Sequence, residues 1–142
     1  MRIEITRPIG SGKTTLAKGL AEQAGWEMAT EVPEQIPFWA MPYSGVPKYQ
    51  FEKDLSFLLF HAVSVRERNP KNGGTLICDF AFVQDLAYAQ LVQEEAELTV
   101  YKAIHRFIIA RCGPPDLAIN LRCSTPTLLE RIAARGRDPE CG

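Results

Sequence analysis

A glycine-rich turn between a predicted strand and a predicted helix constrains this sequence most. Residues 2–6, RIEIT, have the pattern of a short apolar strand, and residues 13–24 place small and aliphatic residues on one side of a helix. The turn between them contains GSGKTT, residues 10–15. Glycines let backbone N–H groups close around phosphate oxygens, and the start of the helix adds partial positive charge. The order strand, turn, helix therefore predicts a phosphate-binding loop.

One position of this loop departs from the usual spelling, G-x-x-x-x-G-K-[ST]. Arg7 stands where the leading glycine is expected, whereas Gly12, Lys13 and Thr14 fall at their places. We predict that the ATP-binding residues of the loop are Gly10, Ser11, Gly12, Lys13, Thr14 and Thr15. Lys13 would reach the β and γ phosphates, and Thr14 would ligate Mg²⁺. The alternative is a chance glycine turn before a helix, which the location at the first strand–helix junction disfavours.

The rest of the chain alternates between strand and helix patterns. Further strands are predicted at 26–30, 73–80 and 115–123, and further helices at 48–67, 83–91, 94–112 and 124–137. The last helix begins with a cap, Ser124 or Thr125. Residues 31–47 contain four prolines and are predicted to form an irregular, functional loop. The alternation predicts an α/β domain in three layers, a parallel sheet flanked by helices as in P-loop NTPases.

Charge and composition narrow the classes of partner. The net charge of −1 provides no general field for nucleic acid or an anionic membrane, so we expect neither as a partner. No apolar run reaches the roughly 20 residues of a membrane span. The four cysteines and two histidines lack metal-ligand spacing, which favours reduced thiols. Together with a charged start, MRIEIT, in place of an apolar leader, these features indicate a cytoplasmic protein.

Four segments together resemble the deoxynucleoside kinases, which transfer the γ-phosphoryl group of ATP to the 5′-hydroxyl of a deoxynucleoside. PIGSGKTTLA (8–17) resembles their first motif, and TEVPEQIPFWAMPY (30–43) resembles the segment with the catalytic glutamate. CDFAFVQDLAYA (78–89) resembles the D/E-R-S segment, and the stretch from 115 to 140 resembles a strand, a helix and an arginine-rich lid. The resemblance implies one P-loop domain over 1–142, with a lid at about 131–142.

The resemblance assigns the two carboxylates that would take part in the chemistry. Glu31 would be the general base that accepts the 5′-hydroxyl proton, with Glu34 as the fallback. The alternative for Glu31 is a surface residue at a strand end. Asp79 ends an apolar strand and would hold Mg²⁺ through water; its alternative is a helix cap.

Other residues would bind the two substrates. Arg131, Arg135 and Arg137 would clamp the transferring phosphoryl group and bind ATP, unless they form a solvated basic helix end. Tyr43 and Glu140 would hold the sugar 3′-hydroxyl. These assignments follow from the family's motifs, position by position.

The predicted helix 48–67 carries two polar residues beside its apolar stripe. Asp54 and His61 are seven residues apart and share a face, where the family usually has glutamine and arginine. An ionised Asp54 can only accept hydrogen bonds, which suits the adjacent N–H donors of a guanine-like base. Ordinary structural roles for both residues are the alternative. Asp85 follows Asp79 by six residues, as in the family, and is assigned to the nucleoside.

Two further departures concern Phe80 and the end of the chain. Phe80 stands where the family has an arginine that steadies the catalytic carboxylate, and Phe80 cannot donate a hydrogen bond. Because Arg7 and Phe80 follow strands that are neighbours in this fold, we hypothesise that Arg7 replaces the lost charge. The chain stops at DPECG, so we expect the sheet to lack its last strand and the chain to form a homo- or heterodimer.

The sequence therefore favours an enzyme that uses ATP and Mg²⁺ to phosphorylate a deoxynucleoside at its 5′-hydroxyl. One alternative is a catalytically weak nucleotide-binding protein or a regulatory subunit of a kinase. Another is a kinase for a different small alcohol or for a nucleoside monophosphate, which the same loop would serve.

Overall fold

A parallel four-stranded sheet with helices on both faces forms the computed structural model, which describes residues 1–6, 8–41, 47–68 and 73–135. The strands are β1 (Arg2–Thr6), β2 (Glu27–Ala29), β3 (Leu76–Cys78) and β4 (Leu117–Asn120). The helices are α1 (Lys13–Ala24), α2 (Gln50–Glu67), α3 (Phe82–Val92), α4 (Glu95–Cys112) and α5 (Thr125–Arg135). Single 3₁₀ turns occur at Pro33–Gln35 and Pro47–Tyr49. The predicted α/β class is confirmed.

The sheet has the strand order β2-β3-β1-β4, and all three pairings are parallel. The carboxyl ends of the strands therefore share one edge, and the loops that follow β1, β2 and β3 meet there. The predicted adjacency of β1 and the strand before Asp79 is confirmed by the pairing of Glu4 with Cys78. β3 is shorter than predicted, because its residues pair with both neighbours only from Leu76 to Cys78.

Strand β3 separates two hydrophobic clusters. Leu76 and Cys78 pack with residues of α2, α3 and α4, whereas Ile77 packs with Ala17 and Ala21 of α1 on the opposite face. This division follows from the alternation of side chains along a strand. Both faces of β3 are covered, which explains why its sequence is apolar throughout.

Strand β4 was predicted as another apolar strand, but it is largely exposed. It pairs with β1 at the edge of the described sheet, and Leu117 keeps 49% of its surface exposed. α5 begins as predicted, because the Thr127 backbone N–H donates to Ser124 Oγ at 3.3 Å and identifies Ser124 as the cap.

Two further observations concern the helices and the cysteines of the described residues. None of the helices there combines the length and hydropathy required to cross a membrane. The three cysteines that lie in this part of the chain, Cys78, Cys112 and Cys123, are free thiols, and Cys141 lies outside it.

Gly10 is constrained in two ways, by its backbone conformation and by its closeness to helix α5. Its φ is +80°, and a Cβ added there would lie 3.1 Å from Leu128 O and 3.2 Å from Ile132 Cγ1. Gly10→Ala is therefore expected to lower the free energy of unfolding by about 1–3 kcal/mol in a denaturant titration. The matched control is Gly19→Ala in α1, where a Cβ meets nothing within 4 Å. That variant should be stabilised by about 0.5–1 kcal/mol, and equal effects of the two substitutions would contradict this account.

Candidate active site

A cavity of about 670 Å³ opens at the edge where the strands end. Its wall includes loop residues 9–15, residues 30–33 after β2, and side chains from α2, α3 and α4. This volume lies in the range of small-molecule sites, which also tend to occur at this edge of parallel sheets.

The loop between β1 and α1 has the backbone expected of a phosphate-binding loop. Gly12 has φ 93° and stands immediately before the first helical residue, Lys13. The first N–H groups of an α-helix have no acceptor within the helix, and the start of a helix is therefore a common site for binding anions. The Ser11 hydroxyl is buried and has no hydrogen-bond partner among the described residues. Arg7 lies outside the described residues, so its replacement role stays a prediction.

Asp79 joins the start of α1 to the loop after β2. Its Oδ2 accepts a hydrogen bond from Thr14 Oγ1 at 2.7 Å, and its Oδ1 accepts one from the Glu31 backbone N–H at 2.7 Å. Desolvation by burial raises the pKa of Asp79, although both hydrogen bonds oppose that change. A hydroxyl and a carboxylate at this place fit Mg²⁺, which binds few protein oxygens and takes its other ligands from phosphate and water.

The alternative role of Asp79 as a helix cap is wrong. Helix α3 has Ala81 at its cap position, and no side chain bonds there as a cap. Its first backbone N–H, that of Phe82, donates to Glu4 Oε2 at 3.2 Å.

Glu31 lies on the cavity wall, and its carboxylate contacts a buried histidine that does not line the cavity. Its Oε2 is 3.0 Å from His61 Nε2, and His61 Nδ1 is 2.8 Å from Asp85 Oδ2. Glu31 and Asp85 both line the cavity, whereas His61 is 1% exposed and does not. The fallback residue, Glu34, is exposed on the 3₁₀ turn and is not part of the wall. The geometry therefore favours Glu31 over Glu34.

Burial and charge act in opposite directions on His61. Burial lowers the pKa of its imidazole, but Asp85 and Glu31 outweigh burial and raise that pKa to about 10. Burial raises the pKa of Asp85, and the interaction with His61 opposes that change. Because both ring nitrogens have a carboxylate neighbour, the doubly protonated ring can donate to both.

Phe80 serves as a flat support for this histidine. The two rings stack with centroids 4.0 Å apart and an interplanar angle of 6°, and Phe80 is 1% exposed. The position that departs from the family motif therefore contacts the residue that holds Glu31.

Asp54 lines the cavity as predicted, but protein donors already contact both of its oxygens. Gln50 Nε2 donates to Oδ1 and Gln93 Nε2 donates to Oδ2, each at 2.9 Å. Lys53 Nζ is 3.4 Å from Oδ1. These contacts were not predicted from the sequence, although the spacing of four between Gln50 and Asp54 is a local signal for such a pair.

Tyr101 is another wall residue that was not predicted from the sequence. Its side chain is fully buried at the cavity, and its hydroxyl has no hydrogen-bond partner within the described part of the chain. A buried hydroxyl without a partner is costly, so a ligand in the cavity is a suitable acceptor or donor for it.

The predicted arginine clamp is described only at its first member. Arg131 Nη1 lies 3.4 Å from Ser11 O and 3.5 Å from Gly10 O, so α5 contacts the phosphate loop. Arg135 is the last residue of α5, and its side chain is outside the described atoms. The remaining predicted site residues outside the described part of the chain are Tyr43, Arg137 and Glu140.

The fold and this site define the class of protein. A parallel sheet, a phosphate loop at its first strand–helix junction and a carboxylate bonded to the loop threonine are typical of P-loop proteins that bind nucleoside phosphates. Within this class the chain belongs to the deoxynucleoside kinase family, which it matches over residues 3–142.

Individual relatives agree with this assignment. The deoxyguanosine kinase of Bacillus subtilis (strain 168) is 30% identical over 138 residues, which cover 95% of this chain and 67% of that protein. A deoxyadenosine kinase of Lactobacillus acidophilus is 27% identical over 148 residues, covering 97% and 68%. The structure of a deoxyadenosine kinase from M. mycoides with bound dATP superposes with a TM-score of 0.80 at 25% identity, covering 99% of this chain and 74% of that one. The chain thus spans about two thirds of the length of its curated relatives.

Proposed function

We propose that this protein transfers the γ-phosphoryl group of ATP to the 5′-hydroxyl of a deoxynucleoside. The observation that carries the proposal is the side chain of Asp79, which bonds Thr14 of the phosphate loop with one oxygen and the backbone of Glu31 with the other. A candidate metal site and a candidate base are thereby linked within one cavity, as phosphoryl transfer to an alcohol requires.

The phosphates of ATP would bind at the loop and the start of α1. Backbone N–H groups of this turn and the Lys13 ammonium would surround the β and γ phosphates. Thr14 and Asp79 would hold Mg²⁺, which when bound neutralises part of the phosphate charge. Arg131, already against the loop, is the nearest described member of the predicted clamp and would offset charge on the transferring group.

In the reaction the nucleoside 5′ oxygen would form a bond to the γ phosphorus. The bond from that phosphorus to the oxygen bridging the β and γ phosphates would break, and ADP would leave. The hydroxyl proton would pass to the Glu31 carboxylate, which makes the products ADP and a deoxynucleoside monophosphate. Positioning and charge complementarity would supply most of the rate enhancement, because the protein forms no covalent intermediate.

The nucleoside would occupy the part of the cavity bounded by α2, α3 and α4. Asp54, Asp85 and Tyr101 line that part, and the proposal adds Tyr43 and Glu140 as ligands of the 3′-hydroxyl. A preference for a guanine-like base remains part of the proposal. It is supported by the acceptor character of Asp54, but its present donors, Gln50 and Gln93, would share that carboxylate with the base.

A direct assay tests the proposal. The purified chain would be incubated with ATP, Mg²⁺ and each of the four deoxynucleosides, and the monophosphates would be quantified by chromatography. We expect a monophosphate product, formed fastest from deoxyguanosine. ATP binding without any product would instead select a nucleotide-binding or regulatory role.

That second role is favoured by one observation, the phenylalanine at position 80 in place of an arginine. A regulatory subunit would associate with an active kinase, and the exposed strand β4 offers an edge for pairing with another chain. Homo- or heterodimer formation is therefore included in the proposal, as are a single domain over 1–142 and a lid at about 131–142. Light scattering of the pure chain, alone and mixed with a kinase, would measure association.

A further inference from the structure

We propose that His61 is the positioning residue of Glu31 and provides the positive charge that Phe80 cannot provide. The proposal rests on the function proposed above, in which Glu31 accepts the hydroxyl proton. His61 itself would not touch substrate, since it lies behind the cavity wall and is 1% exposed.

The contacts of His61 fix the imidazole in one orientation. Nδ1 is 2.8 Å from Asp85 Oδ2 on one side, and Nε2 is 3.0 Å from Glu31 Oε2 on the other. Phe80 covers one ring face at 4.0 Å, and the rings of Phe57 and Phe82 approach at angles of 65° and 79°. A ring held at both nitrogens and on its face cannot rotate without losing these contacts.

The fixed ring in turn restricts the carboxylate of Glu31. A carboxylate at the end of a flexible side chain is a poor base when it samples many orientations, because proton acceptance requires close alignment. His61 engages Oε2 of Glu31, and the Glu31 backbone N–H is engaged by Asp79. We assign the second carboxylate oxygen, Oε1, to the incoming hydroxyl.

The charge around His61 keeps the imidazole protonated. Glu31 faces it from the loop after β2, and Asp85 faces it from α3. His105 of α4 also interacts with the charge of Asp85, and Asp85 in turn acts on Tyr101 of α4 and Glu4 of β1. Because the pKa of His61 is raised to about 10, its charge persists across neutral pH and is lost only as the pH rises through that value.

Kinetics of two variants and their combination test the proposal. His61→Gln keeps a polar side chain but removes the charge, and we expect kcat to fall about 10–100-fold while both KM values stay within about twofold. Adding Phe80→Arg to His61→Gln should recover part of kcat, because position 80 contacts residue 61 and a guanidinium there restores a positive charge near Glu31. Lys102→Gln is the control, because it also removes a positive charge but at an exposed position of α4 outside the cavity wall; kcat should remain within about twofold.

A titration of the histidine ring signals by NMR gives a measure that does not depend on activity. The chain has two histidines, so His105→Gln assigns the His61 signal by elimination. We expect His61 to stay protonated beyond pH 9, and its pKa to fall in Glu31→Gln.

Opposite results overturn the proposal. A wild-type kcat in His61→Gln, no recovery in the double variant, or a neutral His61 at pH 7 would each do so. If the wild-type chain has no kinase activity, the proposed function fails and the titration alone decides. In that case, an unchanged pKa of His61 in Glu31→Gln would show that the two residues do not interact and would overturn the assignment. A lowered pKa of His61 would support the His61–Glu31 pair.

Discussion

Replacing Glu31 by glutamine is expected to lower kcat by about two to four orders of magnitude, the usual contribution of a general base. Glutamine has nearly the same shape and keeps the backbone N–H that donates to Asp79, so the phosphate loop and its nucleotide should be unaffected. Its amide oxygen can still accept from His61. What the variant loses is a group that takes the 5′-hydroxyl proton.

The measurement is steady-state kinetics with ATP and the best deoxynucleoside, combined with ATP binding by calorimetry. Glu34→Gln is the matched control, because Glu34 is three residues away, exposed and absent from the cavity wall. We expect its kcat within about twofold of the wild type. A large loss of kcat in Glu34→Gln and no loss in Glu31→Gln would instead identify Glu34 as the general base.

Asp79→Asn is expected to lower activity without lowering stability. Asparagine preserves the size of the side chain and can accept from the Glu31 N–H, but it removes a carboxylate that burial makes costly. We expect kcat to fall by at least about 100-fold and the Mg²⁺ concentration for half-maximal rate to rise. The free energy of unfolding without Mg²⁺ should stay the same or increase at neutral pH.

The sign of the stability effect follows from the pKa of Asp79. This pKa is raised from its ordinary value of 3.8, so the folded chain binds a proton more tightly than the unfolded chain. The cost of ionising Asp79 in the folded chain is absent below pH 3.8, where both states are protonated. This cost grows as the pH rises from 3.8 to the raised pKa, and it is fully present above the raised pKa. Asparagine removes the cost, so the difference in stability between the variant and the wild type should shrink on acidification.

Asp116→Asn is the matched control for this substitution. Asp116 is exposed at the opposite end of the sheet, where Oδ2 accepts from the Arg2 backbone N–H at 2.6 Å. Its kcat and Mg²⁺ dependence should be unchanged within about twofold. An active Asp79→Asn with normal Mg²⁺ dependence would remove Asp79 from the proposed metal site.

Features that depend on local sequence could be predicted well. The phosphate loop, the α/β alternation and the cap at Ser124 each depend on residues within one or two turns of each other. The sheet order was partly accessible, since fold rules place the strand before Asp79 beside β1. The exposure of β4 was not accessible, because an apolar run such as LAIN does not show whether its strand is central or at an edge.

The contacts behind Glu31 depend on residues far apart in the chain. Glu31 and His61 are 30 residues apart, and His61 and Asp85 are 24 apart, on a loop and two different helices. Periodicity indicated that His61 shares a face with Asp54, but not that its ring reaches Glu31 rather than a base. The sequence suggested Arg7 as the replacement for the missing charge. Arg7 lies outside the described residues, and within them His61 contacts Glu31.

The two oxygens of Asp79 have a consequence for how the site keeps its dimensions. One side chain contacts both parts of the site: Oδ2 bonds Thr14 of the phosphate loop, and Oδ1 bonds the backbone of Glu31, the proposed proton acceptor. A shift of β3 along the sheet would carry both ends together and leave their separation unchanged. In the proposed reaction, small movements of the sheet would therefore not change the distance between ATP and the nucleoside hydroxyl. A longer or shorter side chain at position 79 would change it.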